Sequence, residues 1–224
     1  MGLSAVPGVY LGTQIWQLAG SQSGILSIFM KAMSLPIGFY LYGFTLIILN
    51  PIFCLLLGAR LKPYRGPSVS FRCLPWYIQA ALHFTARYSF LEFITPTKIA
   101  NFYFMAMGMK LGKNVYINST RISDPSMIEM DDDATIGGSA NIMAHYASGS
   151  LLVIEKVRIG KKALVGHGAT VFGGVEIGDK AKVLPNSFVL PKTKIPPGET
   201  WGGIPAVKMN LQKTGTVDVT EILE

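Results

Sequence analysis

From Ile159 to Trp201 an aliphatic or aromatic residue recurs at every sixth position: Ile159, Val165, Val171, Ile177, Val183, Val189, Ile195 and Trp201. Glycine follows directly at Gly160, Gly166 and Gly178. Small or β-branched residues stand four places on, at Ala163, Ala169, Val175, Ala181, Ser187 and Thr193. An amphipathic helix needs apolar spacings of three, four and seven, and a half-buried strand alternates. A strict six suits neither. It suits a short straight segment, a corner and another segment, stacked coil on coil. The pattern predicts a triangular prism whose repeated residue points inward on each face, with glycine relieving the corners.

The same phase runs upstream in broken form. Leu111 and Ile117 start it, Met130, Ile136 and Ile142 carry it, and Val153 leads into Ile159. Around Ser123 the register shifts or the coil bulges. Between Met143 and Leu152 the phase survives only with an insertion, which predicts a loop thrown out of the solenoid. Such loops are where a solenoid usually carries its site.

Residues 1–30 are nearly free of charge, and Lys31 is the first basic side chain. No basic region precedes an apolar stretch, so a cleavable signal peptide is not expected. Gly8, Gly12, Gly20 and Gly24 argue against a long helix and for a short re-entrant or interfacial one. Ala32–Ala59 holds no charged residue and is long enough for one tilted membrane span. Pro36 fits a first turn, whereas Asn50-Pro51 either kinks the span or splits it. The alternative is a buried helix of a soluble α/β protein. Arg60, Lys62, Arg65 and Arg72 follow and belong on the cytoplasmic side.

Leu74–Ile94 mixes Trp76, Tyr77, Leu82, Phe84, Tyr88 and Phe93 with His83, Arg87 and Glu92. It reads as a helix at the interface or packed on the first span. Ile99–Met109 is too short to cross and would dock the solenoid on the membrane. The chain then divides into a membrane-associated helical region, 1–110, a repeat domain, 111–207, and a tail, 208–224, with a mildly acidic end.

Composition agrees with this division. Half of the 224 residues are hydrophobic and 15% are charged, against roughly 25% charged in a soluble domain. The net charge of +7 fits a membrane interface, since the basic residues sit beside apolar stretches. The repeat carries no dense basic patch, so nucleic acid is not an expected partner. Cys54 and Cys73 form neither a metal nor a disulfide pattern.

Three histidines limit the chemistry. His145 sits in the interruption, where a neutral imidazole could take a proton from a hydroxyl or amine attacking a thioester. The alternative is a loop histidine in water. His167, two places after Val165, could orient a substrate or His145, or could be solvated. His83 reads as structural or interfacial. Among the acids, Asp124 in Ile-Ser-Asp-Pro is the candidate to hold the imidazole tautomer, because the coil is irregular there. Asp131 to Asp133 read as a solvent-facing corner. His145 and His167 could share an ion, but no compact ligand motif declares one, and no metal is expected.

The six-residue repeat resembles that of the hexapeptide-repeat acyltransferases, which fold as a left-handed β-helix. The ending Ile195-Pro-Pro-Gly-Glu-Thr-Trp-Gly-Gly-Ile-Pro-Ala206 is similar to their terminal segment. The wider pattern resembles the membrane-bound C-terminal modules of poly-lysine-synthetase-like nonribosomal peptide synthetases. There too a Lys-Pro-Tyr-Arg-Gly stretch, here Lys62 to Gly66, follows a hydrophobic span. A Thr-Pro helix from Thr95 then leads into Met-Lys-Leu-Gly-Lys-Asn-Val115 and a turn like Ile122-Ser-Asp124.

The resemblance implies a mainly β fold, a left-handed parallel β-helix preceded by a hydrophobic helical membrane-associated region. It implies acyl transfer from a thioester, on coenzyme A or on the phosphopantetheine of a carrier protein, to an amine or hydroxyl. His145 matches the family's histidine in the out-thrown loop and would be the general base, with backbone amides stabilising the oxyanion. Coenzyme A in such enzymes lies between adjacent prisms, so a homotrimer is implied. Gly166, Gly173, Gly174 and Ala181 would line its groove. Gly137-Gly138 and His167 depart from the family pattern. A carrier protein or synthetase partner would have to bring an aminoacyl thioester. The implied place is the cell membrane, with the repeat domain in the cytoplasm. Two other readings stand beside this one. The first is a non-catalytic β-helix scaffold organising a membrane complex. The second is a metal-dependent hydratase, which wants three convergent histidines where the repeat holds two, unless three-fold assembly gathers them.

Overall fold

The computed structural model describes residues 1–209, so all but the first two residues of the expected tail lie outside the described residues. From Lys110 onward the chain lays one strand on each of three parallel sheets in rotation. The first sheet stacks Lys110–Leu111, Ile128–Met130, Val157–Ile159, Glu176–Ile177 and Lys194–Ile195. The second stacks Tyr116–Ile117, Thr135–Ile136, Leu164–Val165, Lys182–Val183 and Thr200–Gly202. The third stacks Ile122–Ser123, Asn141–Met143, Thr170–Val171 and Phe188–Val189. The six-residue positions become register partners one coil apart: Ile159 with Ile177, Val165 with Val183, Val171 with Val189. From Ile159 to Ile195 these side chains are buried, and only Trp201 at the end of the run is half-exposed. Strand Val207–Lys208 then turns back antiparallel on Thr200–Gly202.

The glycines of the repeat have a different task from the expected one. The positive φ at each corner falls two places further on, mostly on Lys162, Lys180, Asn186 and Lys192. Gly160, Gly166 and Gly178 instead give way to the next coil. A Cβ on Gly166 would lie 2.5 Å from the Pro185 nitrogen.

Two breaks in the period have structural causes. At Ser123 the inward residue is Ile122, paired with Ile142, and a 3-10 turn at Pro125–Met127 takes up the extra length before Ile128. The interruption after Met143 is a β-hairpin rather than a loose loop. The chain leaves at Ala144, runs His145–Ser148, turns at Gly149 and returns along Leu151–Ile154. Glu155 N donates to the Ala144 carbonyl at 2.9 Å and closes the neck. Strand Tyr64–Pro67, from before the solenoid, adds antiparallel to Leu151–Ile154 as a third strand. Val153 therefore belongs to the hairpin, and its spacing of six from Ile159 is accidental.

The helices before residue 107 make the molecule mixed α and β, not mainly β. Helix α1, Gly2–Gly20, is one continuous helix, against the expectation of a short one. Its glycines serve packing. Gly8 sits so close to Gly38 of helix α2, Ile25–Leu56, that a Cβ would meet the Gly38 carbonyl oxygen at 2.5 Å. Close backbone approach between apolar helices is the usual use of small residues. Helix α2 runs unbroken through Pro36 and Pro51. Each proline forfeits one helical hydrogen bond. Around Pro51 the burial of Leu46, Ile47 and Cys54 holds the helix together. Among the described residues α2 is the one helix long and apolar enough to cross a bilayer.

Helix α3, Leu74–Ala86, continues through a π turn, Arg87–Leu91. With the short helix Lys98–Ala106 and the second half of α2 it buries Phe90, Tyr103, Phe104 and Met107 on the first coil. Polar ties fix the seat of α3. Gln79 Nε2 donates to the Ala59 carbonyl at 3.2 Å and to Ser126 Oγ at 3.1 Å, and Asn50 Nδ2 donates to the Leu82 carbonyl at 2.6 Å. Cys54 and Cys73 are both free and buried.

Candidate active site at the His145 edge

The corner between the third and first sheets collects the chemistry. Asp124 enters it from the bulged first coil, in a left-handed conformation with φ 62° that aims its side chain back at the next coil. His145 enters it as the first residue of the hairpin. Its pairing with Ile154, itself paired with Tyr64, fastens the strand from outside the solenoid. His145 Nδ1 donates to Asp124 Oδ2 at 2.5 Å. The Asp124 carboxylate is nearly fully buried, whereas a quarter of the His145 side chain is exposed. Nε2 is left as the nitrogen available to a substrate.

A third residue completes the arrangement. Trp76 of α3 donates its Nε1–H to Asp124 Oδ1 at 2.9 Å, and its ring meets the imidazole edge to face at 5.2 Å between centroids. Asp124 thus has one oxygen for each partner. Buried carboxylates need such donors to stay ionised at tolerable cost. Sequence spacing carries no sign of Trp76. The one available hint was an indole N–H in an apolar helix, which requires an acceptor when buried.

Gly173 and Gly174 lie on the same edge, one coil on. A Cβ on Gly173 would come 2.9 Å from the Ala144 carbonyl oxygen, and Gly174 has φ +80°. Lys156 and Lys192 flank them, paired with Glu129 at 2.8 Å and Glu155 at 3.0 Å. The hydrogen bond from Lys156, then that from Lys110, holds the Glu129 carboxyl below its usual range. Bare backbone beside lysines is a setting in which phosphate-bearing ligands can be held.

The remaining candidates stand elsewhere. His167 and Gly166 occupy the corner between the second and third sheets, where His167 is exposed beside Gly138 and Asn118. Ala181 lies at the corner between the first and second sheets, fully buried. Within one chain none of the three reaches His145. Among the described residues no group of three or more His, Cys, Asp or Glu side chains converges.

A cavity of 420 Å³ opens between α3 and this edge. Trp76, Ala80, Ala81 and Phe84 line it from the helix, and Asp124 and His145 from the solenoid. His83 borders it from within the core. Burial, aided by the Arg87 charge and opposed by the Ile122 carbonyl, pushes its imidazole down to about 4, so it is neutral. Nδ1 bonds with the Tyr103 hydroxyl at 3.3 Å, while Nε2 finds no partner of ordinary geometry.

No family model matches the sequence. The chain is 28% identical over 125 residues to delta-poly-L-ornithine synthetase of Acinetobacter baumannii, a match covering 56% of this chain and 9% of that protein. It is 37% identical over 95 residues to the mitochondrial gamma carbonic anhydrase 2 of Arabidopsis thaliana, covering 41% of this chain and 29% of the relative. The chain thus spans less than a third of either curated relative. In structure it is similar to a hexapeptide-repeat acetyltransferase of Vibrio cholerae complexed with acetyl coenzyme A. The TM-score is 0.51 at 18% identity, over 71% of this chain and 98% of that one. The fold is therefore the one seen in that structure, with helices added before the parallel sheets.

Proposed function

We propose that the protein is a membrane-associated acyltransferase that moves an acyl or aminoacyl group from a thioester to an amine or hydroxyl. The observation that carries this reading is the dyad at 2.5 Å between His145 Nδ1 and Asp124 Oδ2, set in a cavity at the edge of a hexapeptide-repeat solenoid. A histidine so held offers a fixed Nε2 lone pair, and a positioned general base contributes about 10²–10⁴-fold.

A thioester bound along this edge supplies an activated acyl carbon. Gly173, Gly174, Lys156 and Lys192 would hold the donor, whether coenzyme A or a carrier-borne phosphopantetheine. His145 Nε2 takes the proton from the acceptor's hydroxyl or amine as the acceptor attacks. Asp124 keeps the proton on Nδ1 and offsets the positive charge that the ring acquires. Nε2 then yields its proton to the departing sulfur.

The helical residues 1–110 serve as the membrane-associated part and residues 111–207 as the transferase domain, a closed left-handed prism. Helix α2 crosses the bilayer, with Arg60, Lys62, Arg65 and Arg72 holding the transferase domain on the cytoplasmic side. A homotrimer, which could bring His167, Gly166 and Ala181 of one chain toward the His145 edge of another, belongs to this reading. So does kinship with the C-terminal modules of poly-lysine-synthetase-like nonribosomal peptide synthetases, a reading that rests on the stretches Lys62 to Gly66 and Ile122-Ser-Asp124. The test is acyl transfer by bilayer-reconstituted protein, with acetyl coenzyme A and a carrier-borne aminoacyl thioester as donors and a panel of amines and alcohols. His145→Ala should remove transfer while leaving assembly size intact. Full activity in that variant would overturn the reading.

A further inference from the structure

The two sides of the His145 edge differ in kind. Toward Gly173 and Gly174 the surface is bare backbone and the ion pairs Lys156–Glu129 and Lys192–Glu155. Toward α3 it is hydrocarbon: Trp76, Ala80 and Phe84 follow one stripe of the helix at spacings of four, and Tyr77 and Ala81 repeat that spacing beside it. The small side chains of Ala80 and Ala81 leave the room. At 420 Å³ the cavity lies within the roughly 300–1,000 Å³ of small-molecule sites.

This cavity is not isolated. Tyr77 lines it and also lines a second apolar cavity, of 380 Å³, shared with Val69, Phe71 and Leu74. Val69 and Phe71 there are 94% and 95% exposed. Tyr88, whose ring lies 6.0 Å from that of Phe84, continues the exposed aromatic row beyond α3, and the Arg87 guanidinium stands over it at 5.0 Å. Large exposed aromatics with arginines mark a helix lying in a membrane interface. An apolar path therefore leads from the membrane-facing surface of α3, past Tyr77, to His145.

We infer that the cavity takes the hydrocarbon tail of a membrane-borne acceptor, which enters across α3 and presents its amine or hydroxyl to His145 Nε2. The donor then occupies the polar side of the edge, and the two substrates meet at the imidazole from opposite directions. This inference rests on the acyltransferase reading and narrows its acceptor to an amphiphile.

The test is photocapture on full-length protein in lipid nanodiscs. The probes are a long-chain aliphatic amine and the matching alcohol, each with a diazirine in the tail, and a long-chain acyl coenzyme A carrying the same group. Labelled peptides are mapped by mass spectrometry. The amine or alcohol should label residues 76–84, and excess acetyl coenzyme A should not displace it. Each methylene excluded from an apolar site costs roughly fourfold in affinity. Ala80→Leu and Ala81→Trp, each filling the room of about three methylenes or more, should weaken capture at least about sixtyfold. Capture needs neither an acyl donor nor turnover, so it survives even where the acyltransferase reading fails. Amine and alcohol labelling confined to α1 and α2, or indifferent to both filling variants, would overturn the inference. So would capture of the acyl coenzyme A chain at residues 76–84 in place of the amine and alcohol, since the cavity would then belong to the donor.

Discussion

Trp76 and Asp124 lie 48 positions apart, and the indole of the first donates to the carboxylate of the second at 2.9 Å. The contact joins helix α3 to the carboxylate that pairs with His145. Trp76→Phe keeps the ring and removes the N–H, leaving a buried carboxylate oxygen one donor short. A lost hydrogen bond to a charged group is worth about 1.5–3 kcal/mol. Part of that should appear as a roughly tenfold fall in kcat, with the donor KM unchanged. Asp124→Asn, which frees the wrong tautomer, should cost up to about 10⁴-fold. Steady-state kinetics of both variants checks the order, and an active Asp124→Asn would remove Asp124 from the mechanism.

His83 predicts a pH effect on stability rather than on chemistry. Burial lowers its pKa from 6.5 to about 4, so the folded protein keeps it neutral while the unfolded chain takes up a proton first. Its contribution is fully present above about 6.5 and drains away as the pH falls toward 4. The loss is on the order of 3 kcal/mol. His83→Gln should flatten the fall of the unfolding midpoint across that window relative to the parent. Equal pH dependence in the two proteins would show that another group governs the window.

Gly166→Ala tests the role of the repeat's glycines. The new Cβ would meet the Pro185 nitrogen at 2.5 Å and the Leu184 carbonyl carbon at 2.7 Å, both backbone atoms of the next coil. Overpacking of this kind costs about 1–3 kcal/mol, read as a Tm lower by several degrees. Gly12→Ala on α1, where nothing lies within 4 Å, should not lower it. A Gly166→Ala protein of parental Tm that binds acetyl coenzyme A poorly would point to donor binding instead.

How much of this was legible in the chain differs from part to part. The period of six specifies the stacked coils because inward side chains must repeat once per side, a local rule that any stretch of sequence displays. His145 and Asp124 stood out because both sit where that rule fails. The nature of the failures was not legible. Tyr64–Pro67 turns the excursion into a three-stranded sheet, and its partner Leu151–Ile154 lies far away in sequence. The glycines of α1 read as helix breakers by propensity, yet Gly8 is there because the Gly38 backbone comes close.

The sequence by itself determined the solenoid, the apolar α2 and the short list of groups able to move a proton. Those follow from composition and spacing, which act over a few residues. Only the tertiary structure decided which of those groups meet. It set His145 against Asp124, put His167, Gly166 and Ala181 on other corners, and brought Trp76 from a separate helix to the carboxylate. The reason is that a corner of the solenoid is fixed by the phase of every coil beneath it, and the seat of α3 by contacts made across the whole chain. No local pattern carries either quantity.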